Sequence, residues 1–424
     1  MKLAYVSPMP PAKTGIAIYS IHLVEALRKR WPVTVFTPTF EAHALENVPM
    51  VDFTGDPPKV KRLAEFDRIL YHIGNNPGYH LEIWRALTLF PGTVCLHDMV
   101  IYYLVAGLGR GALLKELLVQ DPETAFRKLA DIERELDGRS LTQYRDAYRY
   151  PSVRALFDST RHIIVHNHTS ANALKELGFT GRVDVIPLLH YGAGSAPSPG
   201  SRSAMRAELG YAEGDFVLGA FGFIGPPKRM DAVLEALARV RDRDPQTRAR
   251  LLVVGIGDPI APKIAALGLG AHVRQLGYVA DDRFAPYMEA CDAIVNLRYP
   301  SHGESSATLI QAMSVGKPCV VTDHASFSEL PDGTVLKVSF GESEVGDIAG
   351  AFEALIGDPA LGARIGEAAR ALILRHHSPD VVAKRFVEVL RSTASTPVSL
   401  STGTADAQLS SVEYLGARAR LLVP

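Results

Sequence analysis

Strand-like apolar runs alternate with helix-like patterns along most of this chain, and that alternation is what most narrows its fold. A first series of strand-type runs reads KLAYVS, VTVF, RILYHI, TVCLHD, HIIVHN and VDVIPL. A second reads FVLGAFGF, RLLVVG, HVRQLGYV, AIVNLR, KPCVVTD and TVLKVS. Between the runs, apolar residues fall at helical spacing, as in IAIYSIHLVEALRKR and KRMDAVLEALARVRD. Strands that return through helices pair in parallel and are covered on both faces, so the class is α/β. The two series predict two doubly wound, Rossmann-like domains. The stretch HYGAGSAPSPGSRS, residues 190–203, is rich in Gly, Ser and Pro and marks the junction. We place an N-terminal domain over 1–195, a C-terminal domain over 196–378, and a C-terminal helix with a loose tail over 379–424. Ligands of such sheets lie beyond the carboxyl ends of the strands, so two of them are expected to face each other across a ligand-binding cleft.

Residues 100–160 break the rhythm with two or three helices in succession. Such an insertion either completes the core or forms an acceptor-side lid or a membrane-touching surface. The second option arises because Arg110 and Lys115 stand among long apolar residues in IYYLVAGLGRGALLKELL.

A formal net charge of −1 leaves no global field to attract nucleic acid, so any anionic ligand must be held by local groups. Cys95, Cys291 and Cys319 are far apart in apolar runs, which fits buried, reduced thiols and neither a metal nor a disulfide framework. The opening MKLAYVSPMPP reads as a first strand rather than a leader, and no apolar run approaches the ~20 residues that cross a bilayer. A cytoplasmic location is expected, with peripheral contact at the inner face of a membrane left open.

The stretch YPSHGESSATLIQAMSVGKPCVVTD, residues 299–323, sets Glu304, Ser305 and Ser306 before a helix that begins near Ala307. A helix N-terminus offers unpaired N–H groups and partial positive charge, a seat for a phosphate. A plain N-cap by either serine is the other reading. Gly15 follows the first strand and precedes a helix, where it permits close approach of a ligand or simply forms a turn. Gly222 and Gly225 flank a strand end in FGFIGPPKRMD, and Lys228 and Arg229 come just before the next helix. Cations there face the helix's positive end, which points to an anion between them; for Arg229 a solvated role stays open. No G-x-G-x-x-G occurs at either place, which disfavours an NAD site. His97 ends a strand in CLHDMV, and His72, Asn75 and Asn76 follow another in YHIGNNPGYH. These groups could bind a polyol, or be a satisfied core histidine and a turn.

Taken in order, the glycine-bearing first loop, GFIGPPKR, QLGYVADDRFAPYMEACDAIVNL and HGESSATLIQAMSVGKPCVVTD resemble the family-four retaining glycosyltransferases, glycosyl transferase group 1. The resemblance spans roughly residues 1–390 and implies the GT-B fold. It also implies a nucleotide-diphosphate sugar held by the C-terminal domain, an acceptor held by the N-terminal domain, retention of anomeric configuration, and no metal or other cofactor. It assigns His97 and Glu304 as catalytic. Gly15, Gly222, Lys228, Arg229, Tyr278, Arg298, Ser305, Ser306, Ala307 and Gln311 become donor-binding, and Tyr19, His72, Asn75 and Asn76 acceptor-binding. The chain departs from the family's pair of glutamates with seven residues between them: Gly303 and Gln311 stand in register, and Glu304 is the nearest carboxylate. Phe223 stands where members often carry arginine, and Arg298 is a substitute for it, or a surface arginine paired with a nearby carboxylate. The expected reaction is transfer from a UDP- or GDP-sugar to a hydroxyl of a glycan or lipid-linked glycan, in polysaccharide biosynthesis. A GT-B nucleotide-sugar epimerase and a non-catalytic glycosyltransferase-like subunit are the alternatives.

Overall fold

The computed structural model describes residues 1–39, 41–42, 45–191, 201–279 and 281–393. Two parallel sheets carry the chain. In the first, β1 (Leu3–Val6), β2 (Val33–Thr37), β3 (Met50–Asp52), β4 (Arg68–Ile73), β5 (Thr93–Leu96), β6 (His162–Val165) and β7 (Arg182–Val185) lie in the order β3-β2-β1-β4-β5-β6-β7. In the second, β8 (Phe216–Phe221), β9 (Ala249–Val254), β10 (Val273–Leu276), β11 (Ala293–Val295), β12 (Cys319–Thr322) and β13 (Leu336–Val338) lie in the order β10-β9-β8-β11-β12-β13. Helices cover both faces, which is why β1, β5, β6 and β12 are buried at every residue and read as continuous apolar runs. Each sheet reverses its winding beside its first strand, β1 and β8, the switch point where such sheets bind ligands.

Every strand-type run of the sequence forms a strand. The sequence reading does not anticipate β3; its three residues are too few to show a period. Contacts group residues 1–187 with the chain from Val382 onward in one unit, and Leu188–Val381 in another. The C-terminal helix, Pro379–Ser392, buries Val382, Ala383, Phe386, Val387 and Leu390, one stripe at helical spacing. Arg68 donates to the carbonyls of Leu390 (2.9 Å) and Thr393 (2.7 Å) at its end, and Arg391 lies over the Trp31 ring. Much of the proposed junction, residues 192–200, and the expected tail, residues 394–424, lie outside the described residues.

The insertion forms helices Tyr102–Gly107, Arg110–Gln120 and Ala125–Leu136. Leu113, Leu117, Leu129, Ile132 and Tyr144 close a satellite core among them. Arg110 pairs with Glu133 at 2.6 Å, and Lys115 reaches Asp158 at 4.0 Å. Among the described residues no helix is long and apolar enough to cross a membrane. Cys95, Cys291 and Cys319 are free, buried thiols.

Candidate functional site

In the second unit, the charged residues gather where β8 and β11 end. Gly225 opens a single turn, Pro226–Lys228, that curls the chain back beneath the end of β8. The Lys228 ammonium, only 6% exposed, donates to Phe221 O at 3.1 Å and to Asn296 Oδ1 at 2.5 Å. Burial holds this lysine well below the usual range; the Arg298 guanidinium pushes the same way and Glu304 opposes both. Asn296, one residue past β11, donates through Nδ2 to Ser306 Oγ at 2.9 Å. Ser306 caps the helix Ala307–Ser314, accepting from Leu309 N at 3.2 Å. The lysine is thus joined through one amide to the end of a helix. The capping reading of Ser306 holds, and it leaves the Ala307 N–H among the first-turn donors that lack an intrahelical partner.

Arg298 follows on the same strand end, its backbone N–H held by Thr322 Oγ1. Its Nε lies 3.0 Å from Glu304 Oε1, an ion pair of two half-buried side chains. The other Glu304 oxygen accepts from His302 N at 2.8 Å. Of the two readings of Arg298, the pairing with a nearby carboxylate is therefore the one the geometry displays, and Glu304 is the carboxylate. Arg229 is also neutralised. It pairs through Nε (3.0 Å) and Nη2 with Glu344, which is buried at the start of the helix Glu344–Gly357. Arg229, read from sequence as a cation flanking an anion or as a solvated basic residue, is thus paired with a carboxylate of its own unit.

Gly222 adopts φ +98°, a left-handed conformation that favours glycine, and a Cβ there would meet Thr308 Oγ1 at 3.5 Å. The loop after β9 packs so closely on it that a Cβ on Gly255 would lie 2.0 Å from Gly222 O. Asn296, Glu344 and Gly255 were not singled out from the sequence. The glycine that ends RLLVVG was the one available signal. Ser305 precedes the cap, and Gln311 lies half-buried on the capped helix. Tyr278, past β10, is 68% exposed, and Phe223 is 67% exposed rather than part of the core.

In the first unit, a different chemistry collects at the strand ends. Pairing sets His72 beside Cys95 and Cys95 beside Ile164. Side chains alternate with period two, so His72, Cys95, His97 and His166 share one face of the sheet. His72 Nδ1 lies 3.0 Å from His97 Nε2, and His97 Nδ1 lies 3.3 Å from His166 Nε2. His166 Nδ1 meets Ile186 O at 2.8 Å, and Cys95 Sγ lies 3.6 Å from His166 Nε2. Ligand atoms of His72, Cys95 and His97 fall within 4.8 Å of one another. Tyr19, from the helix Gly15–Leu27, lays its ring 5.1–5.8 Å from all three imidazoles. Burial first, then neighbouring imidazoles, hold His72 and His97 well below the usual histidine range.

The asparagines expected to bind a polyol are used by the fold. Asn76 Oδ1 caps the helix Pro77–Leu89 through Gly78 N at 2.9 Å, and Asn75 Oδ1 accepts from Tyr103 N at 2.9 Å. Asp98 Oδ2 in turn accepts from Asn75 N. Gly15 is the first residue of its helix, Thr14 gives no side-chain cap, and a Cβ on Gly15 would meet nothing within 4 Å. That helix end is open to a ligand's approach. His166 was not anticipated, although His72, His97 and His166 each stand at the end of one of three adjacent strands.

Residues 215–358, the part of the second unit that holds the lysine, Asn296 and the capped helix, match the family model for Glycosyl transferases group 1. A D-inositol 3-phosphate glycosyltransferase of Nocardia farcinica is 32% identical over 191 residues, 42% of this chain and 40% of that protein. Its counterpart in Rhodococcus erythropolis is 31% identical over 214 residues, 46% of each chain. The chain thus matches less than half the length of these relatives. Among solved structures, Anabaena HepE in complex with UDP and glucose superposes with TM-score 0.65 at 21% identity, over 93% of this chain and all of that one. WaaG, a glycosyltransferase involved in lipopolysaccharide biosynthesis, gives 0.63 at 16%, over 92% and 100%. At such identities the likeness concerns the fold: two Rossmann-like domains of the GT-B type.

Proposed function

We propose that this chain, whose residues 215–358 match the glycosyl transferases group 1 model, moves a sugar from a nucleotide diphosphate to an acceptor hydroxyl. The observation that carries the reading is the chain Lys228–Asn296–Ser306, which links a buried ammonium to a helix N-terminus inside that domain. As the glycosidic bond lengthens, negative charge grows on the departing diphosphate. First-turn N–H groups from Ala307 and the ammonium of Lys228 would stabilise that charge without reorganising. Arg298, paired with Glu304 on the same loop, is read as a further donor contact. Glu304 orients the donor sugar and Gln311 the ribose. Gly222 and Tyr278 line the donor side, and Gly15 is read as a further donor-binding residue. His97 hydrogen-bonds the reacting sugar, with Tyr19, His72, Asn75 and Asn76 around the acceptor.

We read the transfer as retaining and metal-independent, with a UDP- or GDP-sugar as donor. The acceptor is a glycan or lipid-linked glycan reached in the cytoplasm, with peripheral membrane contact through the 101–118 segment. The test is a panel of nucleotide sugars screened first by thermal shift, since a ligand of the folded state raises its melting temperature. Stabilising donors are then incubated with glycan, lipid-linked and inositol-phosphate acceptors, the last because two relatives carry that name. Transfer with retained configuration in the presence of chelator is expected. Conversion of the donor to its epimer, or no transfer from any donor that binds, overturns the reading.

A further inference from the structure

We propose that His166 is a positioning residue: through an imidazole chain anchored on the Ile186 carbonyl, it fixes which nitrogen of His97 carries the proton. The functional reading enters only in naming what His97 acts on, a sugar hydroxyl. The chain starts at a group that has no choice. A carbonyl oxygen only accepts, so His166 Nδ1, 2.8 Å from Ile186 O, holds the hydrogen. A neutral imidazole has one N–H, which makes His166 Nε2 an acceptor. His97 Nδ1, 3.3 Å away, must then donate to it. His97 Nε2 is left as an acceptor, and His72 Nδ1 donates to it across 3.0 Å. The run ends at His72 Nε2, a buried acceptor with no hydrogen-bond partner among the described residues. Reversing the direction would aim the lone pair of His166 Nδ1 at the lone pairs of the carbonyl.

The neutrality assumed at each step has a physical basis. The rings are crowded together, and burial with three neighbouring imidazoles holds His97 well below the usual range. His72 and His166 are buried, whereas His97 is partly exposed and is the ring a ligand can reach. The orientation has a consequence for recognition. With its hydrogen committed at Nδ1 toward His166, His97 offers a lone pair at Nε2. A hydroxyl that takes the place of the His72 N–H there is accepted, whereas a group that only accepts hydrogen bonds is not. His166 touches no reacting atom in this scheme. It acts by setting the tautomer of the ring that does.

The decisive measurement is nitrogen NMR on protein labelled with 15N-histidine, near neutral pH. The His97 signals are identified by their loss in His97→Gln. The parent should show His97 protonated at Nδ1 and bare at Nε2. His166→Phe removes the acceptor, and His97 should move toward the Nε2–H form. Turnover should fall roughly tenfold, the lower range for partners that orient a functional imidazole, with KM little changed. His166→Gln can donate through its amide to Ile186 O and accept from His97 Nδ1, so it should restore both the tautomer and most of the turnover. A parent protein with His97 protonated at Nε2 overturns the proposal, as does a His97 tautomer indifferent to His166→Phe. Zinc bound through His97 Nδ1 also overturns it, because a nitrogen that ligates a metal carries no hydrogen. If the chain transfers no sugar at all, the functional reading fails, while the NMR result still decides the proton's place.

Discussion

The two sheets share one winding rule and end in opposite chemistry. At the ends of β4, β5 and β6 stand three imidazoles, two buried and one partly exposed, hydrogen-bonded to one another. At the ends of β8 and β11 stand a lysine, an arginine and a glutamate, with a second arginine–glutamate pair beside them. Parallel strands covered by helices dictate where side chains can converge and leave open what converges there. The first unit meets the cost of burial by keeping its groups uncharged. The second keeps its charges and surrounds them with counter-charges and carbonyls, which suits a multiply charged ligand such as a diphosphate.

The contrast breaks most visibly in acid. His80, buried under the first unit's imidazoles, is lowered to about 4 by loss of hydration. In the unfolded chain a histidine protonates near 6.5, so below that pH the unfolded state binds the proton that the folded state refuses. Stability is therefore full above ~6.5 and is lost as pH falls toward 4. His80 alone accounts for about 3 kcal/mol of that loss, at 1.36 kcal/mol per unit, and His72 and His97 shift in the same direction. Chemical denaturation between pH 7.5 and 4 should show this decline, flattened in His80→Gln. A flat profile in the parent would mean the histidines stay solvated.

In the second unit, Lys228→Ala should slow transfer by roughly 10²-fold, since it removes a charge aimed at the leaving group. It also leaves Phe221 O and Asn296 Oδ1 without their donor, so melting temperature must be read beside kinetics. A folded variant with parental turnover removes the lysine from the site. Glu344→Gln strips the partner from Arg229, which is one-third exposed, and should cost about 2 kcal/mol in a urea titration. Unchanged stability would mean that water replaces the carboxylate. Glu304→Gln should have the smallest effect, roughly tenfold in turnover with nucleotide affinity nearly kept, because one charge-assisted contact is lost. Equal turnover would assign Glu304 to holding Arg298 and nothing more.

Strands were legible because a parallel strand buried on both faces must be apolar throughout, and RILYHI or KPCVVTD can hardly be anything else. The three histidines were equally visible in YHIG, CLHD and IVHN, each at a strand end. Only the strand order β4-β5-β6 makes them neighbours, and sequence gives no such order. The same limit hid the partner of Arg229, 115 residues away, because charge says that a partner exists but not which one it is. Arg298 and Glu304 lie on one loop, so their pairing was open to a reading from spacing alone.

The helix at Pro379–Ser392 carries a consequence for how the molecule is made. The first unit is discontinuous: residues 1–187 wait for the segment from Val382. A ribosome delivers the whole of Leu188–Val381 before that segment emerges. Throughout this interval Arg68 lacks the carbonyls of Leu390 and Thr393, and the surface destined for Phe386 and Leu390 stays bare. Synthesis therefore supplies every residue of the second unit before the segment that packs on the first, and the part translated earliest is the last to receive all of its residues.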